Sequence, residues 1–101
     1  MAMTPEGRVK NEIKKVLKQH NVWYYCPMQN GYGKVGIPDF ICCLSGKLIA
    51  LEAKAPGKEN TLTANQRNCL DDIAAHGGAT LVCSGNTDEL VALLVANRLR
   101  G

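Results

Sequence analysis

Ser45-Gly46 stands between two apolar, β-prone runs, Ile37–Leu44 and Lys47–Lys54, and that juxtaposition dictates more of the fold than any other short stretch. Two residues, the second a glycine, suit a tight turn between antiparallel strands. A turn of that length pairs Leu44 with Lys47, and counting outward places Asp39 directly opposite Glu52. Directly opposed side chains share one face of a sheet, with Cβ atoms ~4.5–5.5 Å apart. Strand alternation puts Lys54, two residues beyond Glu52, on that face too.

Opposed carboxylates repel one another and destabilise a sheet. Relief comes from a raised pKa, from water or from a bound cation. Oxygen donors at this spacing suit Mg²⁺ or Mn²⁺, which take one or two carboxylates together with waters and phosphate oxygens. A lysine beside such an ion can stabilise a developing phosphorane oxygen or help deprotonate an attacking water. On the residues alone, an exposed hairpin whose Lys54 neutralises both acids by cross-strand pairing accounts for the same pattern.

The flanking chain reads as helices and short strands. Val9, Ile13, Val16 and Leu17 form one apolar stripe, which predicts a helix over residues 6–20 after a Thr4-Pro5 start. Val22–Met28 is rich in β-formers and reads as a strand, followed by a glycine-rich loop, Gln29–Gly36. A polar loop over Ala55–Asn60 leads to a second helix, Thr63–His76, stopped by Gly77-Gly78. Ala79–Ser84 is a fourth strand and Asn86–Leu99 a third helix. The expected fold is α/β in the order α-β-β-β-α-β-α, a central mixed sheet with flanking helices.

Two further polar residues fall beside buried stripes. Glu12, three residues after Val9 and four before Val16, sits on the shoulder of the first helix's stripe. Facing inward, it needs a partner that a cation site supplies; facing outward, it pairs with Lys15 or Arg8. Gln66 precedes Cys69, Leu70, Ile73 and Ala74 on one face of the second helix, and Thr63-x-x-Gln66 also fits a capping box.

At 101 residues the chain is expected to form a single domain, residues 1–101. Its net charge of +3 is modest, but up to Lys34 there are six basic residues (Arg8, Lys10, Lys14, Lys15, Lys18, Lys34) against Glu6 and Glu12. A cationic end of this kind suits a polyanion or a solvated helix face. Five cysteines without a C-x-x-C pair fit reduced, buried thiols rather than zinc or disulfides. No apolar stretch approaches the ~20 residues that span a bilayer, and the charged start does not resemble a secretory signal. An intracellular, cytoplasmic protein is expected.

Taken in order, these residues resemble a known family. Glu12 on the first helix, Gly36-Ile37-Pro38-Asp39, Glu52-Ala53-Lys54, Leu62-Thr63-x-x-Gln66 and Gly77-Gly78 are similar to the virus-type replication-repair nuclease (VRR-NUC) domain of the PD-(D/E)XK nuclease superfamily. The likeness covers nearly the whole chain and implies a PD-(D/E)XK-like fold with a metal-dependent phosphodiesterase activity on DNA. It implies that Asp39, Glu52 and the backbone carbonyl of Ala53 hold Mg²⁺ or Mn²⁺, with Glu12 completing the acidic cluster. Lys54 is then expected to position or activate the water, and Gln66 to support it. Small stand-alone members of the family are typically homodimers, some acting on branched DNA such as four-way junctions, and a virus-type domain is compatible with a viral origin.

Two other features bear on partners. Gly31-Tyr32-Gly33-Lys34-Val35-Gly36 is a literal G-x-G-x-x-G, but a strand follows it where a dinucleotide-binding turn opens a helix. It reads instead as a loop at the mouth of the site, with Tyr32 and Lys34 placed to touch DNA beside Lys10, Lys14 and Lys15 of the first helix. In the third helix Leu90–Ala96 is apolar all round, which suggests cover from a second subunit through Asn86–Leu99. The alternative to a nuclease is a nucleic-acid-binding module that cuts nothing.

Overall fold

A computed structural model describes residues 3–29 and 33–98. In chain order the elements are α1 (Pro5–Gln19), β1 (Trp23–Tyr25), β2 (Phe40–Leu44), β3 (Lys47–Ala53), α2 (Ala64–Ala75), β4 (Ala79–Cys83) and α3 (Asp88–Arg98). The α-β-β-β-α-β-α order expected from the sequence is the order found. The strands form one mixed sheet in the order β1-β2-β3-β4, antiparallel across the first two pairs and parallel between β3 and β4.

The central hairpin follows its turn chemistry. Leu44 pairs with Lys47, and Phe40 with Leu51. Ser45 and Gly46 both have positive φ, at 52° and 78°, as a type I′ turn requires. The Ser45 hydroxyl donates to the Arg98 carbonyl at 3.3 Å, and the Arg98 guanidinium donates to the His20 carbonyl, so the turn, α3 and the end of α1 are tied together.

Other boundaries are shorter than periodicity suggests. β1 covers three residues rather than Val22–Met28, and β2 begins at Phe40 rather than Ile37. Tyr25 pairs with Ile41, so the next same-face positions outward are Pro27 and Asp39, with Pro38 beside them. Neither proline has an N–H to give to a ladder, and pairing stops there.

Cross-strand pairs define two faces. Phe40, Cys42, Leu44, Ile49 and Leu51 point to one side, where they are buried with Val9, Ile13, Val16 and Leu17 of α1 and Leu90 and Leu94 of α3. Helix α2 lies on the other side, that of Leu48 and Glu52, with Ile73 and Leu48 both against Gly78.

Helix α3 buries Leu90 and Leu94 in the core of this chain, while Val95 is 48% exposed. The four-residue spacing of the buried pair points one edge at α1 and the sheet, and among the described residues the opposite edge, with Val95, stays exposed. The end of the predicted helix, Leu99, lies outside the described residues. The expectation of buried thiols needs correction for two of the five free cysteines: Cys43 is exposed because it alternates with Cys42 and Leu44, and Cys26 is exposed just past the end of β1. Burial pushes the Cys42 and Cys83 thiols up to about 12, which leaves neither as a thiolate at neutral pH. Among the described residues, no helix is long and apolar enough to cross a membrane.

Candidate functional site

The two hairpin acids meet as the turn predicts. Asp39 immediately precedes Phe40, Glu52 immediately follows Leu51, and those two residues are ladder partners. The Ala53 N–H donates to Asp39 Oδ2 at 2.9 Å, which pins the aspartate across the strand gap. Glu52 is buried, 3% exposed, and its Oε1 has no hydrogen-bond partner.

Electrostatics follow from that crowding. Burial, then a hydrogen bond with Asp39 and the charge of Asp39, push the Glu52 carboxyl up to about 8. Lys54 opposes the rise and Glu6 adds to it. With no cation beside it, the Glu52 carboxyl therefore keeps its proton at neutral pH.

Lys54 leaves the same face one step on. Its backbone N–H donates to the Cys83 carbonyl at 2.9 Å, which ties this stretch to β4. Its ammonium donates to Gln66 Oε1 at 3.2 Å. Gln66 also completes the capping box of α2: the Thr63 N–H donates to the same Oε1 at 2.9 Å, and the Gln66 N–H donates to Thr63 Oγ1 at 3.1 Å. One side chain thus both caps α2 and contacts the Lys54 ammonium.

Gly36 explains how the loop before Asp39 reaches this helix. Its φ is +80°, and a Cβ there would lie 2.4 Å from the Asn65 carbonyl carbon and oxygen and 2.7 Å from the Gln66 nitrogen. Only a residue without a side chain lets the Gly36-Ile37-Pro38-Asp39 segment pack on the first turn of α2. Gln29 steadies the same segment, its amide donating to the Ile37 carbonyl at 3.2 Å.

Helix α1 contributes different residues from those expected. Glu12 does not face inward; its side chain is exposed and pairs with Lys15 at 3.4 Å. The acid that α1 brings toward Glu52 is Glu6 in the first turn. Lys10, expected on phosphates, stands between Glu6 Oε2 at 3.7 Å and Asp39 Oδ1 at 3.6 Å. The signal for Glu6 is in the sequence: three residues before Val9 and seven before Ile13, it continues the buried stripe by one more turn. Past the last apolar residue, that stripe overhangs the strand ends, where the acids are.

The remaining basic positions are dispersed. Lys14, Lys15, Lys18 and Arg8 surround one shallow hollow on the outer face of α1. Lys34 lines a separate groove with Asn65, Asn68 and Asp72 of α2. Tyr32, with Gly31, falls outside the described residues.

As a donor set, Asp39 and Glu52 offer carboxylate oxygens on one face, with one buried oxygen unpartnered and the carbonyl of Ala53 between Glu52 and Lys54 in sequence. Hard divalent ions take donors of this kind and fill the rest of their shell with water. Among the described residues, no group of three or more His, Cys, Asp or Glu side chains is placed to hold a metal ion together. Compared with known proteins, the chain matches no family model, no curated protein and no solved structure.

Proposed function

We propose that the chain is a Mg²⁺- or Mn²⁺-dependent nuclease of the PD-(D/E)XK type, hydrolysing phosphodiester bonds in DNA. The observation that carries this reading is the buried Glu52 carboxyl set against Asp39, with its Oε1 left without a partner. Burying a carboxylate without a partner is costly, and a divalent ion between the two acids removes the cost.

In this reading Asp39, Glu52 and the Ala53 carbonyl would hold the ion, and Glu6 adds its charge beside that pair where the family resemblance had placed Glu12. Bound there, the ion supplies positive charge for phosphate oxygens and lowers the pKa of a coordinated water. Lys54, held by Gln66, presents its ammonium to the attacking water and to the negative charge that develops on phosphorus-bound oxygens. The hollow framed by Arg8, Lys14, Lys15 and Lys18 and the exposed Lys34 contact phosphates away from the cut. A homodimer through the exposed edge of α3 belongs to the same proposal; sedimentation equilibrium of the full chain at micromolar concentration is expected to give twice the monomer mass.

Cleavage of linear, flapped and four-way DNA with Mg²⁺, Mn²⁺, Ca²⁺ or EDTA tests the function. Cutting is expected with Mg²⁺ or Mn²⁺ and to disappear in Asp39→Asn, Glu52→Gln and Lys54→Ala variants that keep the wild-type circular dichroism. Undiminished cutting by the Asp39 variant overturns it. The second reading, a binding module that cuts nothing, draws on the Lys10 ammonium already placed against Asp39. It predicts salt-sensitive DNA binding that is indifferent to divalent ions.

A further inference from the structure

The two oxygens of Asp39 have separate occupations. Oδ2 accepts from the Ala53 N–H at 2.9 Å and is committed to the backbone. Oδ1 is the oxygen left for a cation, and the nearest cation is the Lys10 ammonium, 3.6 Å away. The same ammonium is 3.7 Å from Glu6 Oε2, one helical turn back on α1. Both separations are longer than the ~2.7–2.9 Å of a charge-assisted hydrogen bond, so Lys10 is attracted without being locked. Its side chain is 38% exposed and that of Asp39 is 11% exposed, so the ammonium approaches the acids from the solvent side.

We propose that Lys10 is a built-in counter-cation of the Asp39–Glu52 pair, one that a divalent ion must displace, so that Lys10 sets the metal affinity of the site. The inference rests on the metal reading above and adds a residue to which that reading gives no role at the ion. A single ammonium is an incomplete substitute. It reaches Asp39 and Glu6, while Glu52 Oε1 remains without a partner. A dication satisfies both carboxylates at once, and its charge repels an ammonium at this range whether or not they touch. Loading the site therefore requires Lys10 to turn its flexible four-carbon stem outward to water.

Removing the ammonium has two opposite consequences. Without metal, the acids lose their partial neutralisation and the fold loses stability. With metal, the competitor is gone and binding tightens. A surface ion pair with no part in metal binding gives the first effect and not the second.

The experiment is calorimetric titration of the full chain with Mn²⁺, together with thermal unfolding in EDTA and in excess Mn²⁺. Lys10→Gln is expected to bind Mn²⁺ roughly threefold to tenfold more tightly than wild type, the range a partly exposed ion pair of about 1 kcal/mol implies. Lys10→Arg, which keeps the charge, is expected to stay near wild type. In EDTA the Gln variant melts below wild type, and in Mn²⁺ that deficit shrinks or disappears. Equal Mn²⁺ affinities for Lys10→Gln and wild type, or the same melting deficit with and without Mn²⁺, overturn the role of Lys10 while leaving the metal site intact. Lys10→Met carries the same expectations and decides the matter if the Gln variant is poorly folded. No Mn²⁺ binding by wild type, or binding unaffected by Asp39→Asn, overturns the metal reading itself and this inference with it.

Discussion

Lys54 and Thr63 meet on one atom: Gln66 Oε1 accepts from the Lys54 ammonium at 3.2 Å and from the Thr63 N–H at 2.9 Å. An amide oxygen has two lone pairs, so neither bond displaces the other. The start of α2 and the lysine after β3 are thereby fixed relative to each other. Thr63→Ala removes the hydroxyl cap and is expected to cost about 1 kcal/mol of stability, read by urea unfolding, with turnover close to wild type. Gln66→Ala removes half of the box and also frees Lys54, so a similar loss of stability is expected with a clear fall in single-turnover cleavage. Equal falls in turnover for both variants make the helix end, rather than the Lys54 anchor, the feature that matters.

Glu52 gives the fold a pH dependence of definite sign. Its carboxyl is raised from 4.5 to about 8, by burial first and by Asp39 second. Between those values the folded chain holds more protons than the unfolded one, so stability falls as pH rises. The contribution is complete below about 4.5 and is lost as pH passes through about 8. Thermal unfolding in EDTA is expected to show melting temperature dropping across that window, and Glu52→Gln to flatten the drop. Saturating Mg²⁺ is expected to oppose it, since the ion binds the deprotonated pair.

Two glycines with the same backbone separate strain from collision. Gly36 and Gly46 have φ of +80° and +78°, but an added Cβ meets the Asn65 backbone at 2.4 Å in the first case and nothing within 4 Å in the second. Gly46→Ala is expected to cost about 1–2 kcal/mol, the penalty of a left-handed alanine. Gly36→Ala is expected to cost at least about 2 kcal/mol more, because backbone must move as well. Equal losses in urea unfolding rule out the close approach of the loop to α2.

Helix α1 offers a test between two glutamates. Glu6 lies near enough to Glu52 to raise its pKa, whereas Glu12 is exposed beside Lys15. Glu6→Gln is expected to weaken Mn²⁺ binding several-fold in calorimetry, and Glu12→Gln to leave it unchanged. The reverse result restores the placement first expected from the sequence.

What was legible beforehand depended on how local the cause was. The type I′ turn is determined by Ser45-Gly46 itself, so the opposition of Asp39 and Glu52 followed by counting. The Thr63–Gln66 box is equally local. The length of β1 was not legible, because it ends where Pro27 and Pro38 fall on neighbouring steps of the two chains, a coincidence of two distant segments. Glu6 was missed for a related reason: helical spacing places it on the buried stripe, but only the tertiary fold shows that the stripe there runs beyond the sheet to the acids. The exposure of Cys26 and Cys43 and the bare edge of α3 likewise depend on which faces other elements happen to cover.

The hairpin also makes the site a matter of parity. Asp39 shares a side of the sheet with Glu52 because the pairing that begins at Leu44 and Lys47 runs unbroken to Phe40 and Leu51. Deleting one residue from β2 turns the aspartate to the opposite side, among the hydrocarbon that α1 and α3 cover. Deleting two keeps it on the correct side and shifts it one pleat, ~6.8 Å, along the strand. An odd change in length anywhere in those five residues therefore abolishes the acid pair without touching either carboxylate.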